Sequence, residues 1–164
     1  MARIHTNRLE LLPLTLAQLE TALLSIPRLA KELGLQIVPS FVEGNTGRAV
    51  RMKVEKMGSM PAGDHPWQTY WLIVLKTGNA GIGLVGFKGK PDAAGEVEIG
   101  YGLDPVYQGK GYMTEAVGAL VNWAFAHPEC KAITAHGVRP DNFASQKVLV
   151  KNGFSETGTN DSGI

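Results

Sequence analysis

A mixed sheet covered by helices, of the α+β or α/β kind with one parallel strand pair near its centre, is the fold this sequence predicts. Three observations lead there. Apolar residues recur at helical spacing early in the chain, β-rich segments joined by short turns fill its middle, and strand-like and helix-like stretches then alternate to the end. A meander makes antiparallel neighbours; a strand–helix–strand unit makes a parallel pair. With 164 residues and no repeat or linker, the chain reads as a single domain, 1–164.

Leu9, Leu11, Leu12 and Leu14 form a short first strand, and Pro13 within it suits an edge because proline donates no ladder hydrogen bond. Thr15 is placed to cap a helix carrying Leu16, Leu19, Leu23 and Leu24. Pro27 opens a second helix with Leu29, Leu33 and Leu35 on its apolar side. Residues 34–44 are irregular, 46–57 read as an exposed amphipathic helix, and the glycines and prolines of 58–66 make a loop. Residues 67–75 and 82–88 are strands around a Gly78-Asn79 turn. In the next strand, 96–103, Val97, Ile99 and Tyr101 take one face and Glu96, Glu98 and Gly100 the other. Met113, Ala116, Val117, Leu120, Val121, Ala124 and Phe125 mark the buried stripe of a helix that stops before Pro128. A strand over 132–138 and a helix over 142–152, closed by Gly153, precede a last strand opened by Phe154.

Composition narrows the function. The chain is 44% hydrophobic and 19% charged, with a net charge of +1, which argues against general electrostatic binding of nucleic acid. The N-terminus lacks the apolar core of a signal peptide, and the apolar run at 71–75 is too short to span a bilayer. Cys130 is the single cysteine, and the four histidines show no metal-ligand spacing. A cytoplasmic, metal-independent protein that binds neither nucleic acid nor membrane is the expectation.

Chemistry concentrates in Leu103-Asp104-Pro105-Val106-Tyr107-Gln108-Gly109-Lys110-Gly111-Tyr112-Met113-Thr114. A strand ends, two spaced glycines follow and a helix begins. Helix N-termini leave backbone N–H groups unpaired at the positive end of the dipole, and glycines let that backbone approach an anion. A pyrophosphate fits such a loop, with Lys110 adding a formal charge; a turn that merely closes the helix is the plainer alternative. Gly81-Ile82-Gly83-Leu84-Val85-Gly86 spells a dinucleotide fingerprint but lacks the strand-to-helix context, so bulged or closely approached strand glycines explain it better. Neither Gly109-Lys110 nor Gly89-Lys90 continues as a P-loop. Further on, Asn142 caps a helix and Ser145 lies one turn inside it.

Together these segments resemble the GNAT acetyltransferases, and in particular their RimJ/RimL-type branch. Gln108-Gly109-Lys110-Gly111-Tyr112-Met113 is similar to the family's Gln/Arg-x-x-Gly-x-Gly/Ala element, with Met113 in place of the last small residue. Asn142-x-x-Ser145 with Lys151-Asn152-Gly153-Phe154 is similar to the branch's second cofactor motif, and Thr6-Asn7-Arg8-Leu9-Glu10-Leu11 to its opening. The resemblance is specific at 96–116 and 138–154 and weak from 34 to 68. It implies a mostly antiparallel central sheet of six to seven strands with one splayed parallel pair, flanked by helices.

It further implies acetyl-CoA as co-substrate, no metal, and a primary amine as acceptor, either a protein N-terminus or a small molecule. Gln108, Gly109, Lys110, Gly111, Tyr112, Met113 and Thr114 would hold the pyrophosphate. Tyr101, Gly102 and Leu103 would pair with the pantetheine arm, and Asn142 and Ser145 would meet it from the other side. Direct attack needs a base, since an amine of pKa about 8 to 10 is mostly protonated at neutral pH; Glu98 is assigned that role, with Glu96 beside it. Many family members protonate the thiolate with a tyrosine where Leu149 stands near that position, which leaves Ser145 or a water as the acid, with Tyr107 and Tyr112 behind them. Trp67, Tyr70 and Trp71 are either an acceptor cleft or core. The missing tyrosine keeps a non-catalytic acyl-CoA-binding or sensing domain in view as the alternative. A homodimer is compatible with the resemblance; the acceptor is not legible.

Overall fold

The computed structural model describes residues 1–136, 138 and 141–157. In chain order, β1 (Ile4–His5) and β2 (Leu9–Pro13) lead into helices α1 (Leu16–Leu24) and α2 (Ile26–Leu33). Then come β3 (Gln36–Ile37), a 3-10 turn at Pro39–Val42, α3 (Gly44–Gly58), a 3-10 turn at Ala62–Asp64 and the short α4 (His65–Gln68). The meander is β4 (Tyr70–Leu75), β5 (Ala80–Phe87) and β6 (Glu96–Leu103). After a 3-10 turn at Pro105–Tyr107 follow α5 (Tyr112–Phe125), β7 (Ala132–Thr134) and α6 (Phe143–Lys151).

Local chemistry accounts for the helix boundaries. Thr15 caps α1 in a reciprocal box with Gln18, and Ser25 caps α2 with Pro27 in its first turn. Gly34 ends α2 in the left-handed region at φ 68°. Asn142 caps α6 by accepting from Ser145 N–H at 3.1 Å.

The strands form one seven-stranded sheet in the order β1-β2-β4-β5-β6-β7. All pairs on this path are antiparallel except β6–β7, which runs parallel with Glu96↔Ala132, Val97↔Ile133 and Glu98↔Thr134. A second, short parallel pair joins β3 to Ala80 and Gly81, on the edge of β5 that β6 leaves free. The sequence pattern did not carry it, because two residues show no period. One sheet face packs on α5 through Trp71, Phe87, Val97, Ile99, Ala116, Val117 and Leu120. The other packs on α1, α2 and α3 through Leu19, Leu29, Val50, Met57, Leu72 and Leu84. The glycines of β5 follow the reading as bulged, closely approached strand: Ile82 is the extra residue where pairing shifts from Ile73↔Gly83 to Val74↔Gly81, and a Cβ at Gly86 would lie 2.5 Å from Thr69 O.

Several expectations are corrected. The strand over 67–75 begins only at Tyr70, because Pro66 favours the first turn of α4 and the Thr69 N–H closes it on His65 O at 2.8 Å. The helix over 46–57 is not simply exposed: Val50, Lys53 and Met57 are buried. Pro13 lies in an internal strand, but Leu14 N–H donates to Tyr70 O, so the proline nitrogen faces the opposite side, beyond the two paired residues of β1. β7 covers Ala132–Thr134, not 132–138. Residues 154–157 carry no strand, and the rest of the expected last strand lies outside the described residues.

Candidate functional site

Pairing of β6 with β7 stops at Glu98↔Thr134, whereas β6 continues to Leu103. The two strands therefore part. Lys88 N–H donates to Glu98 O and Asp104 N–H to Ile82 O, so alternate residues of β6 from Glu98 turn their backbone groups toward β5. By the same alternation, Tyr101 and Leu103 turn theirs toward the opening. A cavity of about 290 Å³ lies there, lined by β6, the glycine loop, the start of α5 and α6.

The loop is shaped by Gly109 at φ 80° and Gly111 at φ 81°, a region that favours glycine. Gly111 is the N-cap of α5 and no side chain caps it; the first helical bond is Glu115 N–H to Gly111 O at 3.1 Å. Among the described residues no protein oxygen accepts from the N–H groups of Gly109, Gly111 or Met113. These are the unpaired donors of a helix start, at the positive end of its dipole, where negative charge is favoured. Gln108 donates its amide to Leu103 O at 3.0 Å, closing the loop back on the strand.

Across the cavity, α6 presents Asn142, Ala144, Ser145, Lys147, Val148 and Lys151. Tyr101 Oη lies 2.7 Å from Ser145 Oγ, a hydroxyl pair that bridges β6 and α6. Burial pushes the Tyr101 phenol up, partly offset by its hydrogen bond with Ser145, so it is protonated at neutral pH. Asn152 donates to Thr114 O at 3.2 Å and ties the end of α6 to the first turn of α5.

Glu98 lies on the other sheet face, at the apex where β6 and β7 separate, and forms an ion pair with Lys88. Nearby, Lys53 is 5% exposed and donates to Gln68 O at 2.7 Å and Phe87 O at 2.8 Å, with its ammonium 4.4 Å from the Tyr70 ring centre. Burial, followed by Lys88 and Lys56, pushes its pKa down to about 7.

The structure thus gathers Tyr101, Gly102, Leu103, Gln108, Gly109, Gly111, Tyr112, Met113, Thr114, Asn142 and Ser145 around one cavity, while Lys110 does not line it. Glu98 does not line it either; it stands behind the opening. Lys151, named in the second cofactor motif, lines the cavity, and so does Lys147, which sequence reading missed although its i,i+4 spacing from Lys151 on a capped helix was the available signal. Sequence reading also missed the Tyr101–Ser145 pair, which no spacing encodes. Trp67 and Trp71 belong to the core, where Phe87, Trp123 and His127 surround them. Burial, then Glu129, pushes the Cys130 thiol up, away from nucleophile chemistry. A larger hollow of about 680 Å³ between β7 and α6 contains Glu96 but no part of the glycine loop. No described helix is long and apolar enough to cross a membrane.

A curled mixed sheet with a splayed parallel pair and a glycine loop at the splay is the architecture of an acyl-CoA-dependent transferase. The model of the acetyltransferase (GNAT) domain family matches residues 8–155, and the chain belongs to that family. It is 32% identical over 157 residues to an uncharacterized N-acetyltransferase, YjdG, of Bacillus subtilis, covering 94% of this chain and 90% of that one. Among solved structures it is similar to the ribosomal-protein-S5-alanine acetyltransferase of Vibrio fischeri, at TM-score 0.68 and 22% identity, covering 96% of this chain and 85% of that one. RimL, a ribosomal α-N-protein acetyltransferase solved with coenzyme A, matches at TM-score 0.66 and 22% identity, covering 96% and 86%. The chain is an acyl-CoA-dependent N-acetyltransferase with RimJ/RimL-type neighbours.

Proposed function

We propose that this chain, as one cytoplasmic domain over 1–164, acetylates a primary amine by direct attack on acetyl-CoA in a ternary complex. The observation that carries the reading is the set of unpaired N–H groups at Gly109, Gly111 and Met113, opening on the cavity beside the free edge of β6. The diphosphate takes those donors, with Lys147 and Lys151 adding charge. The pantetheine arm runs along Tyr101 and Leu103 as an added strand would. That course points the thioester toward the apex at Glu98.

There the amine nitrogen attacks the acetyl carbon, the new N–C bond forms and the C–S bond breaks. A backbone N–H on the free edge of β6 polarises the carbonyl. Glu98, through a water, takes a proton from nitrogen, and Ser145, backed by the Tyr101 hydroxyl, gives one to sulfur. The products are an amide and a free thiol. Leu149 at the usual tyrosine position is the one observation that favours a non-catalytic binder; its side chain lines the larger hollow beside β7, and the Tyr101–Ser145 pair answers it by supplying a hydroxyl to the donor cavity. The acceptor is a protein N-terminus or a small-molecule amine. The V. fischeri and RimL relatives act on ribosomal proteins, which makes a protein N-terminus the first acceptor to try.

The test is a calorimetric titration of acetyl-CoA into wild type and Gly111→Val, followed by thiol release across a panel of amines. Tight binding to wild type alone, with turnover of at least one amine, is the expected result. Equal affinity in the two proteins would remove the site from the glycine loop.

A further inference from the structure

The start of the chain is bound to the glycine loop by more contacts than a strand turn needs. Arg8, between β1 and β2, donates from Nη1 to Lys110 O at 2.9 Å and from Nε to Glu115 Oε1 at 2.8 Å. Its backbone N–H donates to Glu115 Oε2 at 2.9 Å, and the Thr6 hydroxyl donates to the same oxygen. The guanidinium stacks 4.5 Å from the Tyr112 ring centre, and a Cβ built on Gly111 would come within 3.3 Å of Nη2. Arg8 does not line the cavity; it grips the loop from outside.

In a trans peptide the C=O of one residue and the N–H of the next point in opposite directions. Fixing the Lys110 carbonyl on Arg8 therefore turns the Gly111 N–H away from Arg8. Glu115 sits in the first turn of α5 and accepts from Thr6 and Arg8, so the helix start is held against the same strand turn. A planar fork can engage a carboxylate and a carbonyl at once, which a lysine ammonium cannot do in this geometry.

We infer that Arg8, with Glu115 and Thr6, is a positioning device for the acetyl donor: it presets the Gly111 N–H toward the diphosphate without touching it. The inference rests on the assignment of the diphosphate to the glycine loop. It places a determinant of donor affinity about a hundred residues away in sequence from the loop it serves.

Coenzyme A and pantetheine, which lacks the diphosphate, are titrated by calorimetry and ligand-observed NMR into wild type, Arg8→Ala and Arg8→Lys. Thermal melts verify that each is folded. Both variants are expected to lose about tenfold in affinity for coenzyme A, the order of one partly exposed charged hydrogen-bond set, and to keep wild-type affinity for pantetheine. Unchanged coenzyme A affinity in a folded variant overturns the inference. So does equal loss for both ligands, which marks a general structural role, and so does full rescue by Arg8→Lys, which marks simple charge attraction. If Arg8→Ala does not fold, Arg8→Lys decides alone. Wild type that binds the two ligands equally well overturns the diphosphate assignment itself, and the inference with it; that outcome is read before any variant is made.

Discussion

At Gly111 one hydrogen atom decides two things. The residue sits at φ 81°, where a side chain is strained by about 1–3 kcal/mol, and a Cβ would press on Arg8. Gly111→Val is therefore expected to weaken acetyl-CoA binding by about tenfold or more, the order to which such strain converts. Glu98 carries a separate prediction. If it removes the amine proton, Glu98→Gln lowers kcat about 10²–10⁴-fold, and a rising pH restores part of the rate as free amine accumulates; an unchanged kcat and pH profile would count against Glu98. Lys53 gives a stability signature. Its folded pKa of about 7 lies below the 10.5 of an unperturbed lysine, so between those values the unfolded chain binds the extra proton. Stability contributed through Lys53 therefore rises with pH from about 7 to 10.5, and Lys53→Met should flatten that rise in denaturant melts. Glu115 acts in the opposite range. Partial burial raises its pKa, but the Thr6 hydroxyl and the Arg8 amide and guanidinium outweigh this and hold it below the usual carboxylate value, so its contribution is complete above the unfolded value and lost as pH falls through the folded one.

Among the elements, α5 and α6 form the jaws of the site, and their junctions matter more than their interiors. Asn142 caps α6 and so sets the turn on which Ser145 meets Tyr101. Removing the cap by Asn142→Ala should cost about 1 kcal/mol of stability, read from the melting midpoint, and should lower turnover more than it lowers acetyl-CoA affinity. These element starts were legible in sequence because capping residues, prolines and spaced glycines act locally: Thr15, Pro27, Gly111 and Asn142 each sit where a backbone end suits them, whereas the Ser25 cap emerged only in the fold. Trp67 was misplaced because its aromatic neighbours suit a strand, while Pro66 and the His65–Thr69 bond chose a helical turn. Lys53 read as one more exposed cation of a basic helix. Only the contact of α3 with α4 and the end of β5 buries it against the Gln68 and Phe87 carbonyls.

At the scale of the molecule, acetyl donor and fold should be linked. A ligand that binds the folded state alone stabilises it by about 2.7 kcal/mol at a hundred times its Kd. Acetyl-CoA and coenzyme A are thus expected to raise the thermal midpoint, with ATP and NAD leaving it in place; equal shifts for all four would point to unspecific anion binding. Sequence alone determined what depends on neighbours along the chain: a meander followed by strand–helix units, a glycine loop opening α5, a capped α6, and through them the GNAT resemblance. Tertiary structure decided what depends on residues far apart in the chain meeting: the end of β6–β7 pairing at Glu98, the Tyr101–Ser145 hydroxyl pair, and the hold of Arg8 on Lys110 and Glu115. The physical reason is range. Turn chemistry and periodicity are written within a few residues, whereas the direction of a peptide N–H or the partner of a hydroxyl is set only when the sheet brings distant segments within hydrogen-bonding distance.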